Sequence, residues 1–288
     1  MVGALLALLA CTCAGSASPV PGGVGTLPSA APVSATADGG VLAGACEAST
    51  IIPWNGGWLV GDNEDSKQLY AYDLDFKARG TVALPTEVDD IESLALRGAG
   101  YTVVGSHSTN KDGKARPQRE RLLTPEGVLA PLVLDACPTC VAARGLGPDQ
   151  SGLNIEGAAS WGDRLWLGLR APLSASGKAL LLGLDAGGAV AETVEIDLGG
   201  LGVREMIPYG DGLLLIAGPT ADASAPHQLY KLDAARVLTP LPVRLPTSTE
   251  GIAVDPTTPG TLVYVTDGDG KPGKCKQPAT WGRVSIGG

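Results

Sequence analysis

A glutamate followed by small and apolar residues recurs five times along the chain, in "CEAST" (46–50), "IESLAL" (91–96), "IEGAAS" (155–160), "REMIPY" (204–209) and "EGIAV" (250–254). The glutamates stand at 47, 92, 156, 205 and 250, in steps of 45, 64, 49 and 45. A period of about 40–50 residues is the length of a four-stranded propeller blade, a unit that must stack on copies of itself to bury its faces. Each glutamate is followed by an apolar run, namely "GWLV" (57–60), "YTVV" (101–104), "RLWLG" (164–168), "LLLI" (213–216) and "LVYV" (262–265). Turn chemistry separates the two, as in "WNGG", "GDR" and "GDG". Third strands follow in "QLYAYDL", "RERLL", "ALLLGLD", "HQLYKLD" and "WGRVSI", and outer strands in "TVALP" and "TVEIDL". No amphipathic helical run exceeds about three turns. The pattern predicts an all-β chain, a β-propeller of five four-stranded blades. Six blades is the alternative, with a degenerate one at 124–153. The last blade runs out of chain before its outer strand, so a strand from 32–43 is expected to close the ring.

Forty-one Gly and 22 Pro among 288 residues suit many short strands and tight turns. The net charge of −9 and pI near 4.7 exclude the basic footprint of a nucleic-acid binder. "VGALLALLA" (2–10) is too short to span a bilayer and reads as the core of an export signal over residues 1–17. It runs into "LLAC", where Cys11 resembles a lipidated lipobox cysteine, while cleavage after "GSA" is the alternative. Residues 18–40 read as a Ser/Ala/Pro/Gly linker and 41–288 as one propeller domain. The expected location is extracytoplasmic, in the periplasm or on the outer membrane through a lipid anchor, alternatively secreted. The expected state is a monomer, with the membrane contacted only through that lipid.

Four cysteines remain in the body, an even number suited to disulfides outside the cytoplasm. Ring closure would bring Cys46 beside Cys275 and predicts a disulfide there, the alternative being a buried free thiol. Cys137 and Cys140 of "CPTC" read as a local disulfide, with a zinc half-site or redox pair as alternatives.

In a propeller the loops that enter the innermost strands share a face with those joining second and third strands. The five glutamates and the loops "GDNEDSK", "GSHSTNKDGKARPQR", "RAPLSASGK", "AGPTADASAPH" and "TDGDGKPGK" therefore converge on one end of the channel. Clustered carboxylates need a cation or raised pKa values. Glu92, Glu156 and Glu250, with Glu205 and Glu47 in differing contexts, are candidate ligands for a calcium ion. The competing reading has them capping backbone amides or pairing with arginines such as Arg204 and Arg170. His107 is a candidate proton carrier, and Arg170 with Lys111 a candidate grip on a small anionic ligand.

"GSHSTNKDGKARPQRERLL", "NIEGAASWGDRLWLGLRAPL", "DLGGLGVREM" and "TEGIAV" resemble an uncharacterised bacterial β-propeller family, domain of unknown function 3616, over roughly residues 41–270. That resemblance implies an exported propeller without an established activity. More distantly the chain is similar to esterase-like phytase propellers, without their acidic-cluster signature. Two function classes follow. One is an envelope module that binds a ligand or partner at a glutamate-lined central site. The alternative is a calcium-assisted hydrolase, of phosphoesters for instance, with Asp62, Asp65 and Asp267 as supporting acids.

Overall fold

The computed structural model describes residues 38–221 and 227–287. The expected export signal, Cys11 and all but the last residues of the linker lie outside them. The first strand, β1 (Gly39–Val41), begins inside the stretch read as linker. Blade one comprises β2 (Ala48–Trp54), β3 (Gly57–Asp62), β4 (Gln68–Tyr72) and β5 (Ala78–Ala83). Blade two comprises β6 (Ile91–Arg97), β7 (Gly100–Gly105), β8 (Leu122–Thr124) and β9 (Gly127–Val128). Blade three holds β10 (Asn154–Trp161), β11 (Arg164–Ala171), β12 (Ala179–Leu184) and β13 (Val190–Ile196). Blade four holds β14 (Gly202–Tyr209), β15 (Gly212–Gly218), β16 (Gln228–Leu232) and β17 (Leu238–Arg244). In blade five, β18 (Thr249–Val254) pairs with β19 (Thr261–Thr266), and β19 with β22 (Thr280–Ser285). A small hairpin, β20 (Asp269–Lys271) and β21 (Lys274–Gln277), interrupts that blade between its second and third strands.

Five antiparallel four-stranded sheets form a five-bladed propeller. The innermost strands β2, β6, β10, β14 and β18 pack in sequence, and β18 returns onto β2. Middle strands are buried on both faces, so β12 and β15 read as unbroken apolar runs. Outer strands face water on one side; β13, for example, alternates between buried and exposed residues. Each seam between blades carries its own apolar cluster, five in all. The stretch 124–153 does not form a sixth blade. It supplies the two-residue β9, then a short helix α1 (Pro138–Ala143) and a 3₁₀ turn at Pro148–Gln150. No helix among the described residues is long and apolar enough to cross a membrane.

Closure is fastened three ways at the seam of blades five and one. As expected, β1 supplies the missing outer strand, pairing Gly39 with Gly282 and Val41 with Thr280. Cys46 and Cys275 form a disulfide, with Cα atoms 5.5 Å apart, tethering blade one to the β20–β21 hairpin. The chain's one phenylalanine, Phe76, stacks on Trp58 (5.6 Å) and on Trp281 (3.9 Å). Cys137 and Cys140 also form a disulfide, across α1.

A cross-link spanning 229 residues constrains the unfolded chain strongly. Cys46→Ser with Cys275→Ser is expected to cost about 2–5 kcal/mol in urea unfolding. Cys137→Ser with Cys140→Ser, closing a three-residue separation, should cost less.

Candidate functional site

All five innermost strands carry a β-bulge at the same register. The pairing skips from Ala48 to Thr50, Ile91 to Ser93, Ile155 to Gly157, Val203 to Glu205 and Thr249 to Gly251. The extra residues are Ser49, Glu92, Glu156, Arg204 and Glu250. A bulge re-aims its residue and bends the strand, so these five side chains form one ring at the channel mouth. This alignment corrects the repeat read from sequence. Glu92, Glu156 and Glu250 are equivalent, but their counterparts in blades one and four are Ser49 and Arg204. Glu47 and Glu205 occupy other levels.

Arg204 makes the ring a salt-bridge chain. Its Nη2 lies 2.7 Å from each carboxylate oxygen of Glu250, one nitrogen shared between the two. Its Nε stands 2.9 Å from Oε2 of Glu156, a charge contact off hydrogen-bonding alignment. The other oxygen of Glu156 accepts from Arg170 Nη1 at 2.9 Å and from Asn154 Nδ2 at 3.0 Å. Arg170 reaches it because β11 skips a residue there in its pairing with β10. Burial works against the charge of Arg204, but Glu156 and Glu250 outweigh it and its pKa rises. Burial raises the pKa of Glu156, with Arg204 and Arg170 pulling the other way. Glu92 is half-buried in the same ring. Burial, then Asp90, Glu156 and Glu250, hold its carboxyl well above the usual range.

One level down stand Thr50, Ser93, Gly157, Glu205 and Gly251. Glu205, 1% exposed, accepts from Thr50 Oγ1 and Ser93 Oγ, both at 2.8 Å, and from the Met206 amide at 2.8 Å. The Ala158 amide also faces it. One carboxyl group on blade four thus binds blades one, two and three. Burial pushes it well above the carboxylate range, against the pull of these donors. The glycines let neighbouring strands close in. A Cβ on Gly251 would stand 2.7 Å from Thr50 Cα, and one on Gly157 3.2 Å from the Met206 amide.

The remaining candidates lie apart from the ring. Glu47 accepts from the Gly270 amide at 3.0 Å in the closure hairpin. Asp62 caps the amides of Cys46, Glu47 and Glu64, and Asp65 binds Tyr70 Oη and Gln68. Lys111 is exposed at a loop tip. His107 is buried; the charge acting on it is Arg144 rather than any ring glutamate. Its neighbours Ser106 and Ser108 bond each other, and Ser108 turns to Asp90 and Arg119. His227, the last residue of the loop "AGPTADASAPH", also reaches the ring. Its Nδ1 lies 2.8 Å from Thr249 O, and burial and then Arg204 lower its pKa.

These positions do not fit calcium. Glu205 and Glu47 are on other levels, and an ion between Glu156 and Glu250 would meet the Arg204 guanidinium. Among the described residues no three of His, Cys, Asp or Glu converge as ion ligands.

Two measurements follow. Ser93→Ala should cost about 1–2 kcal/mol in urea unfolding, because it strips a donor from a buried acid. Ser176→Ala, whose hydroxyl bonds the exposed Glu195, should leave the midpoint unchanged. Asp267, beside Glu47 and Glu250, has its pKa pushed up to about 7, chiefly by burial. Its folded pKa lies above the unfolded value of about 3.9, so its contribution is complete below pH ~4 and lost as pH rises through 7. Asp267→Asn should therefore raise the melting temperature at pH 8 relative to the parent protein, with the advantage shrinking toward pH 4.

The same fold occurs in glutaminyl cyclase from Myxococcus xanthus, with 13% identity over 87% of this chain and 95% of that one, at a TM-score of 0.50. GH43B of the Bacteroides ovatus xyloglucan PUL matches at 11% identity and a TM-score of 0.51, over 79% of this chain and 49% of that one. At such identities the likeness concerns the fold alone. No curated protein matches the sequence. Residues 144–245, which hold blades three and four, match the family described as "Protein of unknown function (DUF3616)", the family that the sequence motifs resemble.

Proposed function

We propose that the chain is an exported binding module whose channel mouth takes a small cationic ligand, with the Glu92 carboxyl receiving the ligand's donor. The observation that carries this reading is Glu92 itself. Glu156 and Glu250 are held by arginines, whereas Glu92 makes no hydrogen bond or ion pair among the described residues. Its charged form is disfavoured by burial and by three neighbouring carboxylates. A cation at that point would offset both effects. The small anionic ligand suggested by the loop cations is less well supported. Arg204 is occupied by Glu156 and Glu250, and Arg170 by Glu156 and the Pro219 carbonyl. Export is supported by "VGALLALLA" and by two disulfides, which persist outside the reducing cytoplasm. The calcium-assisted hydrolase would require the ion to displace Arg204, and no feature of the ring favours that.

The test is calorimetric titration with methylguanidinium and ethylammonium, set against acetate and phosphate. The cations are expected to bind, and Glu92→Gln to weaken them by about tenfold or more, the loss of one charged hydrogen bond. Without ligand the same substitution should raise the melting temperature near pH 7. The folded pKa of Glu92 lies above its unfolded value, so the carboxyl's contribution to stability falls as pH rises. Binding of phosphate but not of the cations would overturn the reading. So would a calcium-dependent rise in melting temperature that Glu156→Gln removes.

A further inference from the structure

A hollow opens between blades two and three on the face opposite the ring. Arg97, the last residue of β6, lines it together with the β10–β11 turn, so it lies at the far ends of the strands whose first residues carry Glu92 and Glu156. Blade two is cut short on its outer side, with three residues in β8 and two in β9. Beyond β9 the chain crosses to blade three, where Val133 bridges to Ala189 beside the β12–β13 turn. The crossing is close, since a Cβ on Gly188 would stand 3.2 Å from the Ala130 carbonyl oxygen. Ala130 and Gly188 wall a hollow of about 290 Å³ against the two blades. That is the share of about ten waters in the liquid, at the lower end of the range for small-molecule sites.

Its floor is apolar. Leu122, Leu165 and Leu184 are buried in the core cluster of this seam, and Leu129 packs on them from the crossing segment. Three charged groups on the rim are already engaged or turned outward. Arg164 donates to Glu192 at 2.8 Å, Asp185 accepts the Gly187 and Ala189 amides of its own turn, and the Asp163 side chain is 94% exposed. Arg97 differs from them. It is exposed, it lines the hollow, and its guanidinium makes no hydrogen bond or ion pair among the described residues. A guanidinium presents a fork of donors that matches a carboxylate. Set beside a leucine floor, it is complementary to a carboxylate that carries a hydrocarbon chain. Asp163 and Asp185 on the same rim repel a dianion, which favours a monoanionic head over a phosphate.

We propose that this hollow binds a short aliphatic carboxylate, with its head on the Arg97 guanidinium and its chain over Leu122, Leu129, Leu165 and Leu184. The site is independent of the cationic ligand at the channel mouth.

The whole chain, titrated calorimetrically with butanoate, pentanoate and hexanoate, should bind each more tightly than the last, by about three- to fourfold per methylene. Acetate, which has no chain to bury, and hexan-1-ol, which has no charge, should each bind at least about tenfold more weakly than hexanoate. Arg97→Gln should weaken hexanoate by about tenfold or more. Ala130→Glu, which sets a like charge on the rim, should weaken it as well. Both positions are exposed, so the melting temperature of either variant should match the parent's. Methyl resonances of Leu129 and Leu165 should shift with hexanoate and stay in place with acetate. Glu92→Gln should leave hexanoate binding unchanged, so failure here and failure at the channel mouth are read separately. The proposal is overturned by absence of hexanoate binding at roughly ten millimolar, or by an affinity that does not rise with chain length. It is equally overturned by binding that neither Arg97→Gln nor Ala130→Glu weakens.

Discussion

Five innermost strands meet on one axis, and the carboxyl group of Glu205 is where four of them are joined. A buried acid without a countercharge is costly, and it survives only if its oxygens are fully hydrogen-bonded. The Thr50 and Ser93 hydroxyls and the Met206 amide meet that need, and two of these donors come from other blades. The blade arrangement is thereby fixed at its centre. Apolar clusters hold neighbouring blades in pairs, but Glu205 ties together blades that share no seam. Its position depends on the bulges above it, since each bulge sets which residue of a strand faces the axis at each level.

The ring at the bulges is electrostatically incomplete in a particular way. Three carboxylates, Glu92, Glu156 and Glu250, share the mouth with one ring arginine. Arg204 serves Glu250 with two hydrogen bonds and Glu156 with a charge contact. Arg170 comes in from the adjoining strand and satisfies the rest of Glu156. Nothing comparable reaches Glu92, because the matching bulge in blade one carries Ser49, whose hydroxyl donates to the Ile91 carbonyl. A serine at that position stitches blades one and two together and contributes no charge. The open carboxyl is therefore a consequence of which residue each bulge carries, not of a gap in the fold.

Much of this was legible in the sequence. The spacing of the glutamate motifs carries the blade count, and the missing outer strand carries the closure by residues near the N-terminus. The Cys46–Cys275 pairing follows from that closure. The register of the ring was not legible. In blades one and four the nearest glutamate lies two residues before and one residue after the true position, and a repeat read by residue identity slides onto it. Only the pairing of neighbouring strands reveals the bulges. Arg170 beside Glu156 could be anticipated, since both lie at the same end of adjacent strands. His227 could not, because its route to the ring depends on the Thr249 carbonyl of the next blade.

The segment 124–153 is where the repeat breaks, and its construction differs from that of the blades. A strand in a blade gains stability from ladders on both sides, whereas this segment has a two-residue strand, an isolated bridge from Val133 to Ala189 and a six-residue helix. A helix so short does not persist through its own hydrogen bonds. The disulfide across it and the burial of Leu132, Leu134, Cys137 and Cys140 against blades two and three supply what the backbone cannot. That expenditure of structure positions Arg144 and Gly145 against the His107 loop. A connection needing only to carry the chain from β9 to β10 could be a few residues long. The longer path is fixed covalently and buries its apolar residues at the seam of blades two and three, so it reinforces that seam where the outer strand β9 is only two residues long.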